Sequence, residues 1–235
     1  MRSQAEPITI SVDETDRVSG LLIAPQAARA VFVFAHGAGA GMGHPFMTAV
    51  ASGLGERGIA TLRYQFPYME NKSKRPDPPK RAHAAVRAAV VAAKRLFELP
   101  LIAGGKSFGG RMTSQAQAAE PLEGVAGLAF LGFPLHPAGR PGRERGEHLF
   151  SVDIPMLFLQ GTRDQLAVLD QLEPLCAALG ARATLELFAE ADHSFHVPTR
   201  SGRKDAEVRA DMLDAFTVWI DSVIGKQVLP RNGRD

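Results

Sequence analysis

Leu101-Ile102-Ala103-Gly104-Gly105-Lys106-Ser107-Phe108-Gly109-Gly110-Arg111 is the stretch on which the fold turns. An apolar segment of strand length runs into Gly-x-Ser-x-Gly and then into helix-forming residues. A serine in that setting sits on a sharp strand-to-helix turn, its hydroxyl pushed clear of the sheet and available as a nucleophile. Gly105 and Gly109 flank it two residues to either side, where the backbone must pass close to its neighbours and a Cβ fits poorly. Such a serine requires a base, an acid and an oxyanion hole from elsewhere in the chain.

Outward from this turn, the pattern alternates. Upstream, residues 7–12 and 20–24 read as a hairpin. Residues 30–35 read as a buried strand, 45–56 as a helix and 59–64 as a strand. A proline- and lysine-rich loop covers 66–79. Residues 80–99 form an amphipathic helix on which Val86, Val90, Ala93 and Phe97 recur at helical spacing. Residues 101–104 are the strand before Ser107, and 108–119 the helix after it. Downstream come a strand at 125–131, a basic, glycine- and proline-rich loop at 134–146, and a strand at 154–160. A helix at 167–179, a strand at 183–188 and a closing helix at 205–224 follow, the last striped by Val208, Met212, Phe216, Trp219 and Val223. The polar tail 225–235 is expected to fray. Strands alternating with helices from residue 30 onward predict an α/β fold, a mostly parallel central sheet with helices on both faces. The expectation is one domain over residues 1–235, since no gap is long enough for a cap domain.

Composition agrees with that class. A chain of 235 residues and 25.2 kDa, 45% hydrophobic and 22% charged, is long enough for one well-buried core. A net charge of +2 is too small to argue for nucleic acid or an acidic membrane surface. The apolar runs are strand-sized, so no membrane span is expected. The first residues lack the apolar core of a signal peptide, and Cys176 is the only cysteine, which fits a reducing cytoplasm.

His193 is the strongest candidate base, placed in a loop just after the last strand. Asp164, in Gly161-Thr162-Arg163-Asp164, follows the preceding strand and can hold the imidazole's tautomer and stabilise its charged form. Asp164 also reads as an ordinary turn residue, and His196 is a rival base three residues beyond His193. Asp192 adjoins His193 too closely to orient its ring. Ser107, Asp164 and His193 follow different strands at one sheet edge, where open α/β sheets place their sites. The oxyanion hole should use the Phe108 N–H and one from His36-Gly37-Ala38-Gly39-Ala40-Gly41, with Ala38 as the choice and Gly39 as the alternative.

These motifs resemble those of the α/β-hydrolase superfamily, in its small, capless, dienelactone-hydrolase-like group. They are closer still to predicted hydrolases grouped with NSL-complex subunit 3 and testis-expressed relatives. His36-Gly37-Ala38-Gly39, Arg63-Tyr64-Gln65-Phe66-Pro67-Tyr68, Gly104 to Arg111, Gly161-Thr162-Arg163-Asp164 and Asp192-His193-Ser194-Phe195 carry the likeness over roughly residues 20–224. It implies the α/β-hydrolase fold and the Ser107–His193–Asp164 triad. Dienelactone hydrolases proper use a cysteine nucleophile where this chain has Ser107, so lactone specificity does not carry over. Some members of the closer group look like scaffolds.

The remaining residues have plainer readings. His36 is expected to pin the oxyanion loop, His44 and His83 to lie on the surface, and Cys176 to pack in the core. No cluster has metal-ligand spacing, and no cofactor is expected. Gly105-Lys106-Ser107 also ends a P-loop pattern, but its first glycine would fall on Pro100. The basic loops, with Lys72, Lys74, Arg75, Lys80 and Arg81 in one and Arg140, Arg143 and Arg145 in the other, read as solvated surface or as a rim favouring anionic substrates. The expected activity is hydrolysis of a small-molecule ester or thioester through an acyl-enzyme. The alternative is a silent hydrolase fold kept as a binding module. Oligomeric state and natural substrate are not written in these patterns.

Overall fold

A computed structural model of the chain describes residues 4–228. Its elements are β1 (Glu6–Ser11), β2 (Arg17–Ile23), β3 (Ala30–Ala35), α1 (Pro45–Glu56), β4 (Ile59–Tyr64), α2 (Pro67–Glu70), α3 (Pro79–Leu96), β5 (Leu101–Lys106), α4 (Phe108–Ala119), β6 (Val125–Leu131), β7 (Met156–Gly161), α5 (Leu169–Leu179), β8 (Ala183–Phe188) and α6 (Asp205–Val228). Eight strands form one sheet in the order β1-β2-β4-β3-β5-β6-β7-β8. β1 and β2 pair antiparallel, as do β2 and β4, and every later pair is parallel.

The central strands are apolar without alternation because both faces are covered. In β3, Val31, Val33 and Ala35 point to one core, shared with Val86 and Val90 of α3, Met112 of α4 and Leu172 of α5. Ala30, Phe32 and Phe34 point to the other, shared with Met47, Val50 and Leu54 of α1 and Val208, Met212 and Phe216 of α6. The stripe read on the closing helix faces this second core.

The structure departs from the sequence reading mainly at ends and loops. α3 stops at Leu96, not at residue 99, because Phe97 takes extended angles (φ −138°, ψ 136°) on the way to Pro100, which disfavours helix in the residue before it. The loop at 66–79 contains α2, with Pro67 at its first position where the missing N–H costs nothing. The loop at 134–146 runs into a 3₁₀ helix, Glu144–Ser151. α6 continues through Gly225 to Val228, beyond the predicted end at 224. The rest of the predicted tail lies outside the described residues. Among the described residues, no helix is long and apolar enough to cross a membrane.

This topology sets the chemistry at one edge. The loop after β3, Ser107 after β5, the Asp164 turn after β7 and the His193 loop after β8 all leave the carboxyl ends of parallel strands.

Phe32 anchors the second core. Its ring lies 4.8 Å from that of Phe34 and edge-on to Phe216 at 4.9 Å. Phe32→Ala is expected to cost about 3–5 kcal/mol of stability, read as a lower urea midpoint with little change in m-value.

Candidate active site

Ser107 is the one residue between β5 and α4, and its backbone sits at φ 51°, ψ −116°. That conformation strains a residue with a Cβ and turns the hydroxyl out of the sheet. The turn closes only against bare backbone. A Cβ on Gly105 would lie 2.4 Å from the Ala35 carbonyl oxygen, and one on Gly109 would lie 2.6 Å from the carbonyl oxygens of Ala35 and His36.

The structure brings the three candidate residues together. The Ser107 Oγ lies 2.8 Å from His193 Nε2, and His193 Nδ1 lies 2.6 Å from Asp164 Oδ2. Asp164 is buried, and each of its oxygens is addressed. Oδ2 accepts from the imidazole and from the Gln160 side-chain amide, and Oδ1 accepts from the Leu166 N–H at 2.8 Å. Gln160 is itself held by the Phe133 N–H at 2.9 Å, so the carboxylate is fixed from the sheet upward. His196 lies apart from this chain of bonds, paired with Asp205 at 2.9 Å. Asp192 builds the turn under His193, accepting from the Ser194 and His196 N–H groups.

Lys106 ties the nucleophile strand to the base loop. Its ammonium donates to the His193 carbonyl oxygen at 2.5 Å and lies 5.9 and 5.7 Å from the ring centres of Phe46 and Phe195. Burial pushes its pKa down to about 8, while Asp164 and Asp192 pull the other way. A P-loop lysine would instead need a phosphate-cradling loop before it, and here residues 101–106 are strand.

The loop after β3 is braced residue by residue. His36 is fully buried; its Nδ1 lies 2.7 Å from the Gly37 carbonyl oxygen and its Nε2 accepts from the Phe66 N–H at 3.1 Å. Arg63 donates to the Met42 carbonyl and to the Thr48 hydroxyl, Gln65 accepts from the Met42 N–H, and the Tyr68 hydroxyl accepts from the Gly39 N–H at 2.8 Å. Gly39, the alternative oxyanion donor, is thereby engaged. The Ala38 N–H meets no acceptor among the described residues, and the Phe108 N–H opens α4, where helices leave their donors unpaired. Gln160 and Tyr68 are the contributors that residue patterns did not single out for a role here. Gln160 closes a strand like any core polar residue, and Tyr68 is visible only as part of a motif.

Two cavities meet at Ser107. One of about 270 Å³ is lined by Ala38, Phe46, Lys106, His193 and Ser194, among others. The other, of about 380 Å³, is lined by Phe108, Arg111, Pro134, Arg145 and Asp77, among others. Among the described residues, no group of three or more His, Cys, Asp or Glu side chains is arranged to hold a metal ion. His83 is half-buried between α3 and α4 rather than on the surface, and Cys176 is buried, its thiol pushed up to about 12.

Residues 28–221 match the Alpha/beta hydrolase domain family. The chain belongs to it. Solved structures of similar fold agree in outline. A serine hydrolase without a lid from Xanthomonas campestris superposes with a TM-score of 0.71 at 22% identity, over 93% of this chain and 96% of that one. Dienelactone hydrolase from Anabaena variabilis gives 0.71 at 22%, covering 96% and 99%. An esterase domain from Rhodothermus marinus gives 0.72 at 18%, covering 94% and 99%. Among the described residues of this chain, no segment between the strands forms a separate cap domain.

Two outcomes follow from the brace. Tyr68→Phe removes the acceptor for the Gly39 N–H, worth about 1 kcal/mol to folding, and is expected to lower the urea midpoint with little change in m-value. The second concerns acid. Burial holds the His36 pKa down to about 4, and burial with Arg111 and His83 nearby does the same for His148. An unfolded histidine titrates near 6.5. Between those values the unfolded chain binds a proton that the native state refuses, so stability is full above about pH 6.5 and falls toward pH 4, by about 3 kcal/mol for His36. Urea melts across that range are expected to show the fall, and His36→Gln to remove the His36 share while leaving that of His148.

Proposed function

We propose that the protein is a serine hydrolase that cleaves a carboxylic ester or thioester through an acyl-enzyme. The observation that carries the reading is the unbroken series Ser107 Oγ, His193 Nε2, His193 Nδ1, Asp164 Oδ2, with separations of 2.8 and 2.6 Å across its two hydrogen bonds. His193 takes the hydroxyl proton as Ser107 attacks the acyl carbon. Asp164 keeps the Nδ1–H tautomer and balances the imidazolium as it forms. The Ala38 and Phe108 N–H groups receive the oxyanion, each donor worth about 3 kcal/mol in the transition state. His193 then protonates the leaving group and activates the water that releases the acyl group. No cofactor enters these steps.

The named esterase and lidless serine hydrolase among the structural neighbours support this class of reaction. Within the family, the elbow Gly-Lys-Ser-Phe-Gly-Gly-Arg and the Arg-Tyr-Gln-Phe-Pro-Tyr segment favour grouping with the NSL-complex-subunit-3-like hydrolases. A single buried cysteine suits a reducing, cytoplasmic setting.

A fluorophosphonate probe should label the wild-type protein and fail to label Ser107→Ala. With 4-nitrophenyl acetate, Ser107→Ala and His193→Ala should each lose at least about a thousandfold in kcat, with unchanged far-UV circular dichroism. Absence of labelling in the well-folded wild-type protein would instead make the fold a binding module.

A further inference from the structure

The 380 Å³ cavity beside Ser107 contains two guanidinium groups with no counter-ion among the described residues. Arg111 stands one helical turn after Ser107, its N–H bonded to the Ser107 carbonyl at 3.1 Å. Residues four apart share a helix face, and helical side chains lean toward the N-terminus, so Arg111 projects over the nucleophile's side of α4. Its Nε is buried and makes no hydrogen bond. Arg145 reaches the same cavity from the 3₁₀ helix across it, and its charge is close enough to disfavour that of Arg111. The remaining charges facing this pair are spoken for or repulsive. The buried Asp77 carboxylate accepts from the Tyr68 N–H at 2.9 Å and lies 3.8 Å from Arg81. His148, behind Arg111, is held neutral by burial and bonds to Ser114 at 2.7 Å.

Two like charges kept together at a cavity wall, one with an unpaired donor, are costly unless an anion joins them. The cavity's place relative to the base says which part of a substrate that anion belongs to. A leaving group must reach His193 Nε2, and His193 lines the 270 Å³ cavity but not this one. The acyl chain therefore extends under Arg111 and Arg145.

We infer that Arg111 and Arg145 form an acyl-side anion subsite, which makes the substrate an ester or thioester whose acyl group ends in a second carboxylate, as in a half-ester of a dicarboxylic acid. The inference rests on the hydrolase reading above and names its substrate class. The basic residues of the flanking loops contribute less: Arg143 is bonded to Gln171, Arg81 to Asp16, and Lys72, Lys74 and Arg75 are exposed.

The test compares mono-4-nitrophenyl adipate with 4-nitrophenyl hexanoate, which match in chain length and differ in the terminal carboxylate. The wild-type protein should favour the adipate, with the preference shrinking as salt rises. Arg111→Gln and Arg145→Gln should each lower the adipate-to-hexanoate ratio of kcat/KM by about tenfold or more, the loss of a charge-assisted hydrogen bond. Absence of a wild-type preference, or a parallel fall of both esters in the variants, overturns the subsite while leaving the hydrolase intact. Failure of both esters together with absent fluorophosphonate labelling of Ser107 overturns the hydrolase reading and this inference with it.

Discussion

The approach of the elbow to the end of β3 is the contact on which the rest of the site depends. Gly105 and Gly109 lie against the Ala35 and His36 carbonyls at distances that leave no room for a Cβ. That approach places the start of the loop after β3 beside the N-terminus of α4. A side chain at either glycine would push the two backbones apart and separate Ser107 from that loop. The strained angles of Ser107 belong to the same constraint. The sheet holds the residue in a conformation it would not choose, and its hydroxyl is thereby turned toward His193.

Around this contact, imidazoles and backbone groups do most of the fastening. His36 uses both ring nitrogens on main-chain partners, from its own loop and from the Phe66 segment. His136 repeats the arrangement on the acid side, its Nδ1 lying 2.9 Å from the Pro137 carbonyl oxygen and its Nε2 accepting from the Val168 N–H at 3.0 Å. Each ring joins two loops that leave different strands, and each is buried. A ring with one donor and one acceptor suits this task better than lysine or arginine, because it bridges loops without bringing a charge into the core. The consequence for His36 is sensitivity to acid, since protonation removes its acceptor.

Much of this was legible in the residue order. β3, β4, α1, α4, β6 and β8 begin and end where apolar runs and glycines place them, and Ser107, Asp164 and His193, read after three different strands, follow β5, β7 and β8 and meet in one hydrogen-bonded series. What stayed hidden was side-chain work done across the sequence. Nothing local tells that Gln160 grips Asp164, because a glutamine at the end of a buried strand looks like any satisfied core polar group. The Arg63-to-Tyr68 segment was visible as a motif without a reason. Its reason is spatial: four of its six residues reach the 36–48 region through Arg63, Gln65, Phe66 and Tyr68. Loop interiors were the other gap, because α2 and the Glu144–Ser151 turn are stabilised by tertiary packing rather than by periodicity.

The cations around Ser107 divide by how they are satisfied. Lys106 is buried against two aromatic rings, but its ammonium has the His193 carbonyl as acceptor, and its effect is to hold the base loop in register with the nucleophile. Arg63 is buried more deeply and its Nε too lacks an acceptor, but its terminal nitrogen donates to the Met42 carbonyl and the Thr48 hydroxyl. Arg111 has no acceptor for its buried Nε, and Asp77, the carboxylate lining the same cavity, is engaged by the Tyr68 N–H and lies near Arg81. What sets Arg111 apart from Lys106 and Arg63 is its place, since it lines the cavity beside Ser107 together with Arg145, a second cation without a counter-ion among the described residues.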